Sequence, residues 1–363
     1  MKKNKKYWCF VGVYALVILA LNLAFRFSMV CDWYTDHIFG IWQNTYGVLT
    51  GIFPFSVGEV LITLAIGILL FAVLLVVLLL FSWKKQAYVD WVCRYLRGVL
   101  IFVLTVGLVM TLNCTALYGC SKLVIHGDRE YGETELRILR NYVVEKCNTL
   151  CEQVERDAEG NVACPEKVDR KIPRAVEKLA EENPRFSGYV PRAKKMWGSY
   201  FMYQTGMTGV YFPFSLEANY NGYISDMYYP AIACHELAHL KGYIYEDEAN
   251  YWAYRACVGS EDPMIQYSGY MQMLWYLDSD YLASVDVETY MQQPEILEQV
   301  YQDDSTYTEE VYEELNSMEP VISDEVMETV GDTVDNYYDF YGAEQNYAEV
   351  TKLLLQYYDG ILY

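Results

Sequence analysis

Three long runs of apolar residues without a charged side chain dominate the first third of the chain, at residues 7–24, 60–83 and 98–117. About 20 residues at helical rise cross the hydrocarbon core of a bilayer, so each run predicts a membrane-spanning helix. Past residue 120 the pattern changes. Leu136, Leu139, Val143, Cys147, Leu150 and Val154 recur at helical spacing and predict an amphipathic helix over residues 134–154. A second helix over residues 173–182 stops at Asn183-Pro184, where proline disfavours helical backbone in the residue before it. Residues 189–223 turn aromatic and β-branched with interspersed glycine, which predicts two to four short strands. From residue 226 onward the period is helical again, notably over 263–281, 323–340 and 344–358. Helices, then strands, then helices make an α+β arrangement, and no internal repeat is evident. The expected organisation is a three-helix transmembrane region over 1–120, followed by an extracytoplasmic domain over 121–363 whose acidic, helical C-terminal part begins at about 262.

Charge orients these segments. Lys2, Lys3, Lys5 and Lys6 precede the first run, and Lys84, Lys85, Arg94 and Arg97 lie between the second and third. By the positive-inside rule both segments face the cytoplasm, so the N-terminus is cytoplasmic and everything after the third run is outside. A cleaved signal peptide is the competing reading of the first run, but the run is long and no clear small-x-small site follows it. The formal net charge of −21 argues against binding nucleic acid, whose phosphates an acidic surface repels. Residues 291–363 carry eighteen acidic side chains against the single base Lys352. Ten cysteines leave an oxidised pair open without revealing its connectivity.

The candidate chemistry lies in His235-Glu236-Leu237-Ala238-His239. Residues four apart share a helix face, so both imidazoles can converge on one metal ion with Glu236 beside the open coordination position. Ser225 or Asp226 can cap such a helix, Pro230 suits its first turn, and Gly242 is placed to end it. The chain has only four histidines, and His37 and His126 have no comparable partner. A catalytic zinc needs a third protein ligand, and Glu246-Asp247-Glu248 opens the next helix. Glu248 is the preferred candidate, with Ala249, Ala253 and Ala256 allowing close helix approach, and Glu246 and Asp247 are its competitors.

The stretch from His235 to Ala256, with Thr208 to Asn219 upstream and Tyr267-Ser-Gly-Tyr270 downstream, resembles a bacterial domain-of-unknown-function family of membrane-anchored, zincin-like proteins. The resemblance implies three transmembrane helices followed by an extracytoplasmic zinc metallopeptidase domain, and a gluzincin set of two histidines and a glutamate. Glu248-Ala-Asn-x-x-Ala253 is similar to the pattern in compact zincins where this glutamate is the ligand. The sequence departs from thermolysin-type patterns, since Trp252 stands four residues after Glu248 where those have an aspartate.

The expected function is therefore a multi-pass membrane zinc metallopeptidase. Zn2+ is its cofactor, Glu236 the general base, and His235, His239 and Glu248 the ligands. Its substrate would be a peptide or protein at the extracytoplasmic face. Alternatives are a non-catalytic zincin-like sensor or assembly protein, and a zinc amidase acting on cell-wall peptide. An intramembrane protease is disfavoured by the charged residues flanking the motif. Residues 211–221 are the candidate edge strand for an extended substrate, with Asn219 and Asn221 facing its backbone. Tyr251, Tyr267 and Tyr270 are candidate oxyanion donors.

Overall fold

The computed structural model describes residues 2–125, 129–341 and 347–363. Helix α1 (Lys2–Ala24) is followed by a continuous helical segment, α2 (residues 28–51), and then by α3 (Val57–Ser82) and α4 (Gln86–Met110). A π turn carries α4 on to Tyr118. Three of these, α1, α3 and α4, are long and apolar enough to cross a membrane, which associates the chain with one. Tyr7 and Tyr14 of α1 donate to the Arg97 carbonyl and to Thr105 of α4 (2.8 and 3.1 Å), so these two helices run parallel. Tyr88 and Tyr95 of α4 donate to the Leu75 and Ile68 carbonyls of α3 (3.2 and 2.9 Å), making that pair antiparallel.

The segment α2 is built differently. It alternates α-helical turns with two π stretches, Thr35–Phe39 and Gln43–Gly47. Its buried residues Cys31, Thr35, Phe39, Gln43 and Gly47 recur every four positions. In a pure α-helix such a repeat drifts steadily around the axis, because the turn holds 3.6 residues. The wider π turns absorb the excess and keep all five on one side.

The polar half begins with α5 (Glu133–Leu150) and α6 (Val168–Lys178), close to the predicted helices. Three strands follow: β1 (Lys194–Lys195), β2 (Gly209–Phe212) and β3 (Glu217–Tyr220), with helix α7 (Ser199–Gln204) between the first two. The sheet order is β1-β3-β2, β3 pairing parallel to β1 and antiparallel to β2. The edge beside the helices is thus β2, while β3, part of the expected edge segment, is central. Helix α8 (Tyr229–Leu240) packs on this sheet, and α9 (Glu246–Val258) and α10 (Pro263–Ser284) pack against α8 and against each other. Three short helices, an 18-residue helix (Asp324–Tyr341) and α11 (Tyr347–Tyr358) complete the chain.

One core serves both halves. Cys31, Tyr34 and Phe39 of α2 and Ala116, Leu117 and Tyr118 at the end of α4 are buried with Leu237, Ala238 and Leu240 of α8. The packing therefore crosses the boundary expected at residue 120. The second joint is polar. Glu217 on β3 accepts from the Gly58 and Val57 amides at the start of α3 (2.9 and 3.3 Å), from Ser215 (2.6 Å) and from the Lys194 ammonium. Lys194 also donates to the Thr50 and Phe55 carbonyls (2.9 and 3.0 Å). Both charges are buried, so each depends on the other and on these backbone groups.

Glu217→Leu would strand the Lys194 ammonium and leave the α3 amides unpaired, and should cost on the order of 3–5 kcal/mol. Adding Lys194→Met should recover part of that loss, read as a melting temperature of the full chain in detergent above that of the single variant.

Candidate metal centre

Helix α8 carries the His-Glu-x-x-His motif. Pro230 occupies its first turn, as anticipated, and Tyr228, in place of Ser225 or Asp226, holds the N-cap position without a side-chain cap. Gly242 ends it at φ +97°, a left-handed backbone that side chains rarely adopt, and a Cβ there would lie 2.8 Å from the Thr35 methyl of α2. The His239 Nδ1 is 2.8 Å from the Tyr243 carbonyl, which only accepts, so the proton sits on Nδ1 and the lone pair on Nε2. The His235 Nδ1 is 2.8 Å from Asn250 Oδ1, and that oxygen also accepts from Gln272 Nε2 at 2.9 Å. Both imidazoles are thus held from behind, and both Nε2 atoms point forward.

They point at Glu246. Its carboxylate oxygens lie 3.1 Å from His235 Nε2 and 3.7 Å from His239 Nε2. Among the described residues, His235, His239 and Glu246 form a cluster whose ligand atoms all fall within 4.8 Å of one another. Glu248, the preferred candidate from the sequence, is not brought into this cluster. Its carboxylate is buried and accepts from the Leu123 amide at 2.6 Å, and burial pushes its pKa up to about 7. The physical reason is helical phase: Glu248 is two residues past Glu246, about 200° around the axis. Glu246 and Asn250, one turn apart, share the face toward α8, whereas Glu248 faces the chain leaving α4. Asp247 is outside the cluster. With Glu246 in the cluster, the residue four positions on is Asn250, a carboxamide where the thermolysin-type pattern has an aspartate, and Trp252 no longer breaks that pattern.

Glu236 lies beside the cluster. Burial raises its carboxyl to about 8, against the opposing charge of His235, and the Tyr211 amide of β2 donates to it. Its Oε2 is buried and has no hydrogen-bond partner in the protein. Gly209 of β2 passes so close that any Cβ would collide with the Glu236 carboxylate. The two histidines are driven apart. Burial disfavours charge on both, but the adjoining Glu246 outweighs it at His235 and lifts that ring to about 9, while His239 falls to about 4.

A family described as a protein of unknown function (DUF3810) matches residues 34–355. The chain belongs to that family. Neither the comparison with curated proteins nor that with solved structures returns a match. Within this DUF3810 chain, several residues expected at the site are engaged elsewhere. Asn219 and Asn221 are fully buried and donate to carbonyls of their own sheet region, Val210 at 3.3 Å and Met207 at 3.3 Å. Tyr267 donates to Asp303 (2.8 Å), Tyr270 pairs with Tyr142 (3.2 Å), and the Tyr251 oxygen accepts from Arg255 (2.9 Å). His37 hydrogen-bonds the Trp33 carbonyl at 2.9 Å, and His126 lies outside the described residues. Sequence reading missed Asn250, Gln272, Gly209 and the Tyr211 amide. Asn250 could have been found by testing each acidic candidate for a polar residue one turn later. The other three depend on tertiary packing that no local pattern encodes.

Gly209→Ala should force β2 or the Glu236 side chain aside at a cost of about 1–3 kcal/mol. Paired with Glu236→Ala, which removes the colliding carboxylate, the loss should be well below the sum of the two single losses. A double-mutant cycle on melting temperature reads this directly.

Proposed function

We propose that this protein is a membrane-anchored, zinc-dependent metallopeptidase, with His235, His239 and Glu246 as ligands and Glu236 as general base. One observation carries the reading: two Nε2 atoms and a carboxylate converge at a point beside a buried, unpartnered Glu236 oxygen. The donor set fits the ion. Ligands at roughly 2.0–2.1 Å from a tetrahedral zinc lie about 3.3 Å from one another, and the two His-to-Glu246 separations of 3.1 and 3.7 Å bracket that spacing. Two imidazoles and one carboxylate are also the ligand chemistry of hydrolytic zinc sites, and His235 would give up its Nε2 proton to serve as a ligand.

When bound, zinc supplies Lewis-acid polarisation of a carbonyl and acidifies water. The remaining steps fall to the chain's own residues. In its ionised form Glu236 would take a proton from the attacking water and return it to the leaving amine. Asn250 and the Tyr243 carbonyl fix the ring orientations through the Nδ1 protons. Edge strand β2 runs beside Glu236, so an extended peptide added to that edge by main-chain hydrogen bonds would bring its carbonyl to the centre. The zincin-like assignment rests on this arrangement together with the motif. The extracytoplasmic placement rests on the basic residues that flank the spans.

Two outcomes are expected from the full chain purified in detergent. Metal analysis should find one zinc per chain, lost in Glu246→Ala and kept in Glu248→Ala; the reverse pattern would overturn the ligand assignment. Glu236→Gln should keep zinc and lower peptide hydrolysis at least a hundredfold, and turnover that survives this change would exclude Glu236 as the base.

A further inference from the structure

The surface of α2 turned away from the polar half is apolar and open. Met29, Trp33, Ile41, Leu49 and, just beyond the helix, Ile52 are between 54% and 78% exposed. The first four lie at multiples of four residues from one another, the same repeat that buries Cys31 to Gly47 on the opposite side. The mixed α and π winding therefore produces two straight, opposed stripes, one packed on protein and one bare.

The exposed polar groups on or beside the bare stripe, His37 and Thr45 among them, have hydrogen-bond or ion-pair partners within the protein. Asp36 pairs with Arg185 at 2.6 Å, and Asn44 accepts from the Tyr189 amide at 2.7 Å. The Thr45 hydroxyl donates back to the Ile41 carbonyl at 2.6 Å, and His37 bonds the Trp33 carbonyl and stacks on the Trp33 ring. That is how a surface facing hydrocarbon satisfies its polar atoms.

Connectivity identifies what lies against the stripe. Residues 25–27 join α2 to α1 and residues 52–56 join it to α3. Because α1 is parallel and α3 antiparallel to α4, the end of α1 and the start of α3 emerge on the same side of any membrane they cross. A helix of this length spans roughly 30 Å or more, while a five-residue linker reaches at most about 20 Å. An upright α2 could not return its far end to the bilayer; a recumbent one can. Exposed Trp33 and Trp42 lie along α2 and exposed Phe53 just beyond its far end, where half-buried Phe55 stacks on exposed Trp197 at 5.5 Å. Such aromatics concentrate at the depth of the lipid headgroups.

We propose that α2 is an interfacial helix, lying in the plane of the same bilayer that α1, α3 and α4 cross, with its apolar stripe among the upper acyl chains. The other side of the helix packs against the end of α8, next to the His235, His239 and Glu246 cluster. Gln43 donates to the Leu240 carbonyl at 2.5 Å, one residue past His239, and Thr35 and Phe39 abut Gly242. The α2 helix therefore sets the height of α8 above the lipid. This inference stands on packing and connectivity and does not depend on the zinc chemistry.

Nitroxide labels test it on the full chain, one copy per nanodisc of phosphatidylethanolamine and phosphatidylglycerol. The background is Cys9→Ser/Cys93→Ser, which removes the two exposed thiols. Labels at Trp33→Cys, Ile41→Cys and Leu49→Cys should collide with oxygen several-fold more than with a water-soluble nickel chelate, as a label at Val73→Cys in α3 does. A label at Glu152→Cys on the polar half should show the opposite ratio. Nickel access at the three α2 positions equal to that at Glu152 would overturn the proposal. So would exclusion of both relaxers, which would mean that protein, and not lipid, covers the stripe.

Discussion

Much of this architecture depends on the backbone of Gly242. Its left-handed conformation ends α8 and turns the chain so that Tyr243 gives its carbonyl to His239 and Glu246 returns over both imidazoles. Its missing side chain lets α2 approach to contact distance, with Thr35, Phe39 and the Leu117 methyl gathered around one α-carbon. A larger residue would have to give up either the reversal or the contact. The His-His-Glu cluster and the seating of the polar half on α2 thus share a single steric requirement.

Large parts of this were legible in the sequence. The three apolar runs announce themselves by length, and His235, Glu236 and His239 by spacing, because both signals are local and depend only on helical geometry. Gly242 was legible as a helix terminator for the same reason. The choice between Glu246 and Glu248 was not, because two residues of phase are decided by how many residues the reversal consumes. That number is set by packing against Thr35 and Leu117, far away in sequence. The strand segment was recognised as extended, yet the position of β3 between β1 and β2 depends on a parallel crossover from residue 195 that no alternation pattern shows. The helical nature of residues 28–51 was hidden by its period of four, which fits neither a strand nor an ordinary helix.

The acidity of the C-terminal half also has an internal role. Asp278 is held by Arg140 at 2.8 Å and by Tyr290 at 2.9 Å, which ties α10 to α5. Asp303 takes Arg156 at 2.6 Å and the Tyr267 hydroxyl at 2.8 Å. Asp304 accepts from Tyr228, Asp280 from Thr351 and Asp359 from Arg129, so several of the many carboxylates act as internal cross-links. The net charge therefore measures the outer face of this half and says little about its interior.

The shared core has a consequence for modularity. Ala116 and Leu117, at the end of one of the three helices long and apolar enough to cross a membrane, are as completely enclosed as Leu237 and Ala238 in the heart of the polar half. A fragment cut just after them would expose the surface they cover and lose the helix on which Gly242 rests. The polar half is therefore not a portable unit, because part of its core is supplied by the apolar N-terminal helices.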